Sequence, residues 1–139
     1  MHILFLCTAN SCRSQMAEAW ARQFAPPNIQ VESAGIEPHG KNPRAIAVMA
    51  EAGVDISKQE STRLASSMLA WADVVVTVCG DADENCPVLP AHVHKIHWPL
   101  SDPAKATGTE EEIMAVFRKS RDDIRRRVQQ LVSELAATA

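Results

Sequence analysis

The hydrophobic and polar positions of the chain follow two different periods, and these predict which segments are strands and which are helices. Residues 2–6 form a short, almost wholly apolar run, and residues 73–79 form a second one that is rich in valine. Such runs are typical of strands that a parallel sheet buries on both faces. Weaker patterns predict two more strands, over residues 29–33 and 93–98. The sequence therefore predicts four strands.

Between and after these strands, apolar residues recur with the spacing of a helix. Met16, Trp20 and Phe24 follow one another at intervals of four, and Pro26 stops this first helix. Ser14, near its start, has the side-chain chemistry of a helix cap. The predicted helices cover residues 14–24, 43–53, 66–71 and 110–135. Because strands and helices alternate, we expect one α/β domain built around a parallel sheet.

Composition narrows the classes of function. A chain of 139 residues with a net charge of −3 suits one domain with no general affinity for nucleic acid or anionic membranes. The only dense basic cluster, residues 125–127, fits the solvated face of the last helix. No apolar run approaches the roughly 20 residues that span a bilayer, and no secretory signal precedes the first strand. We therefore expect a cytoplasmic protein whose cysteines serve catalysis, redox chemistry or metal binding.

The first two cysteines lie in CTANSCRS, residues 7–14, between the first strand and the first helix. A tight loop at this position directs backbone N–H groups and the positive end of the helix dipole at one point, which favours oxyanion binding. Arg13 can add a planar pair of donors, and Ser14 can donate a hydrogen bond to the sulfur of Cys7. These positive surroundings are expected to lower the pKa of Cys7 to about 3.5–7.5. The alternative is a buried cysteine that only packs.

The other two cysteines lie in CGDADENC, residues 79–86. Cys79 ends a predicted strand, as the first cysteine does, so both thiols are expected to face one crevice at the carboxyl edge of the sheet. Seven residues of helix span about 10.5 Å, whereas a disulfide needs Cα atoms within about 7 Å. A bond between Cys79 and Cys86 therefore requires the segment between them to loop or unwind. Gly80 and the following polar residues predict a segment that can move, and Pro87 blocks a helix on its far side.

On the residues alone, three interpretations of the cysteines stay open. Redox exchange is favoured for the second pair, and two inert buried cysteines are the first alternative. A zinc site is the second alternative, although structural zinc pairs are usually separated by only two to four residues.

In its place after an N-terminal strand, CTANSCRS resembles the phosphate-binding loop of the low-molecular-weight protein tyrosine phosphatase superfamily. In that superfamily an aspartate followed by proline is the general acid, which corresponds here to Asp102 and Pro103. Over nearly its whole length the chain is similar to the thioredoxin-coupled arsenate reductases. The matching segments are CTANSCRSQMAEAW, ESAGIEPHG, NPRAIAVM, DVVVTVCGDADENCPVLP and HWPLSDPA. The pair Cys79 and Cys86 separates that family from plain phosphatases, and the absence of tyrosine points the same way.

The resemblance implies a single three-layer α/β domain over residues 1–139, with a four-stranded parallel sheet flanked by helices. It implies that Cys7 attacks arsenate while Asp102 supplies a proton, and that arsenite leaves as a Cys7–Cys79 disulfide forms. Cys86 then moves the bond to Cys79–Cys86, which thioredoxin reduces. The implied substrate-binding residues are Cys7, Thr8, Ala9, Asn10, Ser11, Cys12 and Arg13, with phosphate or sulfate as analogues of arsenate. Arg13 and Ser14 complete the implied catalytic set, and the protein is expected to be a monomer.

Lesser roles also follow from the resemblance. Cys12 is interpreted as a packing residue, and His39 as a structural loop residue. Some family members bind potassium through residues that correspond to Asn10, Glu18 and Ser33. The fourth, acidic ligand of those members corresponds to Thr62, so tight potassium binding is not expected, nor is any other tightly bound cofactor.

Three other functions compete with this interpretation. A low-molecular-weight phosphatase would use Cys7, Arg13 and Asp102 without the second cysteine pair. A non-catalytic sensor of oxyanions would have no use for a proton donor at Asp102. A reductase of the same kind could also take its electrons from glutaredoxin or another thiol, although the spacing of Cys79 and Cys86 favours thioredoxin.

Overall fold

A computed structural model describes residues 1–84, 86 and 88–138. The strands are β1 (His2–Cys7), β2 (Gln30–Gly35), β3 (Val74–Thr77) and β4 (His94–His97). The helices are α1 (Arg13–Phe24), α2 (Pro43–Glu51), α3 (Ser66–Trp71), α4 (Gly80–Glu84) and α5 (Glu110–Thr138), and a 3-10 turn covers Pro103–Lys105. Within this part of the chain, no helix has both the length and the apolar composition to cross a membrane.

The four strands form one parallel sheet in the order β2-β1-β3-β4. Leu6 of β1 pairs with Ala34 of β2 and with Thr77 of β3. The carboxyl ends of these three strands therefore lie at one edge of the sheet, which brings the residues that follow them together. The predicted α/β fold with four parallel strands is confirmed.

The core surrounds β1. Residues 3–6 are fully buried, and because successive strand residues point to opposite faces, both faces of the sheet are covered. Helix α1 packs against β1, β2 and α5, while α3 and α4 contact β1. Phe117, Ile124 and Val128 of the apolar stripe of α5 are fully buried, as its helical spacing predicts.

The structure differs from the sequence prediction around Cys79, at the end of β3 and in the segment after it. Strand β3 ends at Thr77, after which the N–H of Val78 still donates to the carbonyl of Leu6 at 3.0 Å. Helix α4 then begins at Gly80, where the sequence predicted only a polar, movable segment. The prediction that Pro87 blocks continuation of a helix lies outside the described residues.

The predicted capping role of Ser14 is wrong. Helix α1 begins at Arg13, and Cys12 occupies the cap position without a side-chain hydrogen bond. Ser14 lies inside the first turn and is fully buried, and its hydroxyl accepts a hydrogen bond from Nδ2 of Asn10 at 2.8 Å. The predicted hydrogen bond from Ser14 to Cys7 is likewise not made among the described residues.

Candidate active site

A pocket of about 670 Å³ opens at the carboxyl edge of the sheet. It is lined by the loop after β1, by Cys79 and Gly80 after β3, and by residues 100–102 with Lys105. Cys7 and Cys79 both line this pocket, close enough for hydrogen bonding between their side chains to shift the pKa of each. The two thiols therefore lie in one crevice, as the sequence predicted.

The loop over residues 8–12, here called the anion loop, is held by its carbonyl groups. Four carbonyls, counting that of Cys7, accept hydrogen bonds from the backbone of the segment after β2. The pairs are Ile36 N to Cys7 O (3.2 Å), Glu37 N to Thr8 O (2.8 Å), His39 N to Ala9 O (3.0 Å) and Asn42 N to Ser11 O (3.0 Å). By contrast, the N–H groups of residues 9–12 donate to no acceptor in the part of the chain that the structure describes. Such a set of N–H groups is what binds an oxyanion.

The approach of β2 to the anion loop requires a glycine. A Cβ atom added to Gly35 would lie 2.8 Å from the carbonyl oxygen of Thr8 and 2.9 Å from Cβ of Asn10. Both distances are too short for non-bonded atoms, so a side chain here would displace the anion loop. Gly35 thus contributes to the site by its lack of a side chain.

Asn10 fixes the bend of the anion loop. Its φ of 49° lies in the left-handed region, which asparagine tolerates better than most residues. The side chain is fully buried, and its Nδ2 donates to the hydroxyls of Ser14 (2.8 Å) and Ser33 (3.0 Å). Its Oδ1 accepts from the N–H of Thr62 at 2.8 Å. These contacts hold a conformation that the backbone alone would not favour.

Arg13 supplies the positive charge of the pocket. Its Nη1 donates to the carbonyl of Leu100 at 2.9 Å and, at 3.4 Å, to that of Val78. These bonds fix the guanidinium between the segments that follow β3 and β4. Its Nε is buried and has no hydrogen-bond partner among the described residues. A buried donor left unpaired is costly, and an oxyanion in the pocket would satisfy it.

Asp102 lies beside this guanidinium. Its Oδ2 is 3.6 Å from Nη2 of Arg13, and its Oδ1 accepts from the N–H of Ala104 at 3.0 Å. The second contact caps the 3-10 turn that begins at Pro103. The Asp-Pro pair identified in the sequence therefore lies in the pocket, where a carboxyl group can exchange a proton with a bound anion.

The two thiols differ in acidity, and the pKa of Cys7 is raised where the sequence predicted a lowered one. Their mutual hydrogen bond and burial raise the pKa of Cys7, although Arg13 acts in the opposite direction. The same hydrogen bond lowers the pKa of Cys79 to about 5, with help from Thr8 and from the N–H of Ala82. The sulfur of Cys79 lies 3.3 Å from the hydroxyl of Thr8 and 3.4 Å from that N–H. Cys79 is therefore the more acidic of the two thiols.

The remaining two cysteines occupy different places. Cys12 is buried in the wall of the pocket, and this burial raises its pKa to about 11. Cys86 is partly buried beyond α4, and none of the four cysteines is in a disulfide. The five residues of α4 lie between Cys79 and Cys86, in the segment for which the sequence predicted that a disulfide requires looping or unwinding.

The residues that correspond to potassium ligands contact one another. Ser33 Oγ donates to Glu18 Oε1 at 2.5 Å, and Nδ2 of Asn10, not its oxygen, faces Ser33. The second oxygen of Glu18 accepts from Nε of Arg22 at 3.0 Å. Thr62 contributes its backbone N–H to this group. A donor set of this kind, already neutralised by a guanidinium, does not fit a cation.

Two residues of the site were missed by the sequence analysis. Gln15 and Arg22 lie on α1, and no role was predicted for either of them. Gln15 is in fact fully buried behind the anion loop. The only signal for it in the sequence was its place directly after CTANSCRS. His39, interpreted as structural, supports the loop with its backbone N–H while its side chain is exposed.

A thiol above a cradle of N–H groups, with an arginine and an acid beside it, defines an enzyme of the phosphatase-loop class. The chain belongs to the family of low molecular weight phosphotyrosine protein phosphatases, whose sequence model matches residues 2–139. Within that family it is similar to arsenate reductases. It is 54% identical to the arsenate reductase of Bacillus subtilis over 128 residues, which are 92% of each chain.

Solved structures agree with this relationship. An arsenate reductase in the phosphate-binding state matches 96% of this chain and 97% of its own, with a TM-score of 0.77 and 34% identity. The thioredoxin-dependent arsenate reductase of Corynebacterium glutamicum matches 99% of this chain with a TM-score of 0.80 and 26% identity. The match covers 63% of the length of that second protein.

Proposed function

We propose that the protein is an arsenate reductase that reduces arsenate to arsenite through a relay of three cysteines and is regenerated by thioredoxin. The observation that carries this proposal is that Cys7 and Cys79 line the same oxyanion pocket, close enough for each thiol to shift the pKa of the other. A phosphatase needs only one thiol there, whereas a second thiol in contact with the first is what disulfide formation requires. Similarity to arsenate reductases over most of the chain supports the same function.

The first step is capture and attack. Arsenate is a tetrahedral oxyanion, which the N–H groups of the anion loop and the unpaired Nε of Arg13 can bind. The proton of Cys7 passes to Cys79 along their hydrogen bond, which makes Cys7 the nucleophile. The Cys7 sulfur forms a bond to arsenic as one oxygen departs, and Asp102 protonates that oxygen so that it leaves as water.

The second step is reduction. Cys79 passes the proton that it took from Cys7 to Asp102, which became a carboxylate in the first step. The thiolate of Cys79 then attacks the sulfur of Cys7, so that an S–S bond forms and the S–As bond breaks. The electron pair of the broken bond leaves with arsenic, which falls from the pentavalent to the trivalent state. Two thiols are thereby oxidised to one disulfide, Cys7–Cys79, and arsenite is released. The contacts of Cys79 with Thr8 and Ala82 stabilise the thiolate that this step needs.

The third step restores Cys7. Cys86 attacks Cys79, displaces Cys7 as a thiolate and leaves the disulfide Cys79–Cys86. The dithiol of thioredoxin then reduces this bond through a mixed disulfide. Unwinding of α4 is part of this step, because its helix keeps the two residues apart. A cytoplasmic location and a monomeric state complete the proposal, because a relay of this kind needs a reducing compartment and one chain supplies every thiol.

The proposal includes independence from potassium. Arg22 already provides the positive charge beside Glu18, and the amide nitrogen of Asn10 faces the hydroxyl of Ser33. We expect equal reduction rates in sodium and potassium salts of the same ionic strength.

The test is arsenate-dependent oxidation of NADPH in the presence of thioredoxin and thioredoxin reductase, with glutaredoxin and glutathione as the alternative donor system. The parent protein is expected to turn over with thioredoxin, and the Cys79→Ser variant is expected to show no turnover. Hydrolysis of an aryl phosphate is the control, since it uses Cys7, Arg13 and Asp102 and forms no disulfide. It should survive in the variant, because loss of Cys79 removes the largest cause of the raised pKa of Cys7. Turnover of Cys79→Ser at the parent rate would overturn the relay, and turnover with glutaredoxin alone would overturn the choice of donor.

A further inference from the structure

Gln15, the third residue of α1, is a polar side chain with no exposed surface. Its Nε2 donates to the carbonyl of Asn10 (3.1 Å), to Oδ1 of Asn10 (3.2 Å) and to the carbonyl of Glu60 (2.9 Å). Its own Oε1 accepts from Nε2 of Gln59 at 2.8 Å. This last contact fixes the orientation of the amide, with the nitrogen towards Asn10.

Residues 59–62, here called the strap, therefore hold Asn10 from a second side. Nε2 of Gln59 also donates to the backbone carbonyl of Gln15 at 3.1 Å. The hydroxyl of Ser61 donates to the carbonyl of Asn10 at 3.0 Å, and the N–H of Thr62 donates to Oδ1 of Asn10 at 2.8 Å. Gln15 is the side chain that bonds to both the strap and the anion loop.

The backbone of Asn10 explains why this clamp matters. A φ of 49° is unfavourable for a residue with a side chain, so it persists only where the surroundings hold it. The neighbours Ala9 and Ser11 line the pocket, and their N–H groups have no acceptor among the described residues. If Asn10 relaxed to an ordinary conformation, these N–H groups would turn and the cradle for the oxyanion would be lost.

We infer that Gln15 is a positioning residue for oxyanion binding, which couples the strap to Asn10 and keeps the anion loop in its binding conformation. Gln15 is not among the residues that line the pocket, so it acts through Asn10 and not on the substrate. The inference rests on the proposed oxyanion chemistry of the loop, and it assigns part of the affinity to a segment that lies outside the pocket.

The first test replaces Gln15 by methionine, which has a similar length but no hydrogen bonds. Binding of inorganic sulfate and phosphate is measured by calorimetry, and the KM and kcat for arsenate are measured with thioredoxin. We expect affinity for the anions to fall about tenfold, because the carbonyl oxygen and the Oδ1 of Asn10 each lose one of their two donors. The KM is expected to rise by the same factor, while kcat changes much less.

A control separates positioning from general loss of stability. Phe117 is fully buried in α5, and Phe117→Leu weakens the core without removing a hydrogen bond. This variant is expected to unfold at a lower temperature and yet to bind sulfate as the parent does. Equal losses of sulfate affinity in Gln15→Met and Phe117→Leu would overturn the inference.

A second variant gives a signature that a merely structural role would not produce. Gln15→Glu keeps the shape of the side chain. When it is ionised, an oxygen that can only accept faces the three oxygens to which Nε2 of Gln15 donates, so these hydrogen bonds are lost. Its protonated form can donate, so its sulfate affinity is expected to recover as the pH falls, whereas that of Gln15→Met is not. The nearby ionisable side chains of Glu18 and Glu60 are present in all variants, so their own titration cancels in this comparison.

If Gln15→Met cannot be purified as a folded protein, Gln59→Met removes only the support of Gln15 and should weaken sulfate binding in the same direction. Unchanged sulfate affinity in both glutamine variants would overturn the inference. Failure of the proposed function gives a different result. The parent would then not reduce arsenate, although it would still bind sulfate and the glutamine variants would bind sulfate less well.

Discussion

At the scale of single residues, the site depends on two thiols that line one pocket and differ in acidity. The sequence correctly placed Cys7 beside Arg13, but it could not show that Cys79 would lie close enough to shift the pKa of Cys7. That proximity arises because β1 and β3 are neighbours in the sheet, and it raises the pKa of Cys7, which the sequence predicted to be lowered. Motif and spacing therefore identify the reacting residues, while the distribution of charge between them depends on a long-range contact.

This distribution makes a prediction about alkylation. At neutral pH, a limiting amount of iodoacetamide is expected to modify Cys79 before Cys7, with a rate that falls by half near pH 5. In Cys79→Ser the largest cause of the raised pKa of Cys7 is gone, so Cys7 is expected to react faster than in the parent. Peptide mapping by mass spectrometry locates the modified residue. Preferential labelling of Cys7 in the parent would contradict the assigned order.

At the scale of secondary-structure elements, α4 controls the last step of the relay. The sequence indicated a segment that must loop or unwind, and the structure shows that the resting state of this segment is a short helix. A helix of five residues has few internal hydrogen bonds, so its unwinding costs little. We therefore expect α4 to be helical in the resting protein and to unwind at little cost when Cys86 approaches Cys79.

Strengthening α4 is expected to slow the enzyme. A Cβ atom at Gly80 would have no neighbour within 4 Å, so Gly80→Ala is sterically permitted. Alanine favours a helix over glycine by up to about 1 kcal/mol, which corresponds to a slowing of about fivefold if unwinding limits turnover. Steady-state turnover with thioredoxin measures this effect. Release of the first arsenite, which needs only Cys7 and Cys79, should keep its rate, and a loss there would contradict this role of α4.

At the scale of the whole molecule, the four parallel strands and the position of the pocket followed from the sequence. Apolar runs predicted the strands, and the parallel arrangement predicted that residues after β1 and β3 would meet. Helix α4 and the burial of Gln15 were not predictable in this way. Both depend on tertiary contacts that a local pattern does not show. The segment after Cys79 is polar, and a glutamine on a helix is usually exposed, whereas Gln15 is fully buried.

The acidity of the thiols also links folding to pH. The pKa of Cys79 is lowered from 9.0 to about 5, so between these values the folded protein carries a thiolate where the unfolded chain carries a thiol. The unfolded state then binds more protons, and stability rises with pH across this window. The contribution is fully present above pH 9 and is lost as the pH falls through 5. For Cys7 the pKa is raised, so its contribution is present below pH 9 and declines above it.

Denaturant unfolding at several pH values checks this linkage. The free energy of unfolding of the parent is expected to rise between pH 5 and pH 9 relative to that of a variant with both Cys7→Ser and Cys79→Ser. The double variant is the matched control because it retains every other ionisable group. A constant difference between the two proteins over this range would contradict the assigned charge.

The most direct measurement of the central claim uses Cys86→Ser, mixed with one equivalent of arsenate and quenched with acid. The relay predicts one arsenite released per protein and a disulfide between Cys7 and Cys79, found by peptide mapping, with no further turnover when thioredoxin is added. Sustained turnover with thioredoxin, or arsenite release without that disulfide, would show that the oxidising equivalent does not pass through these sulfurs in this order.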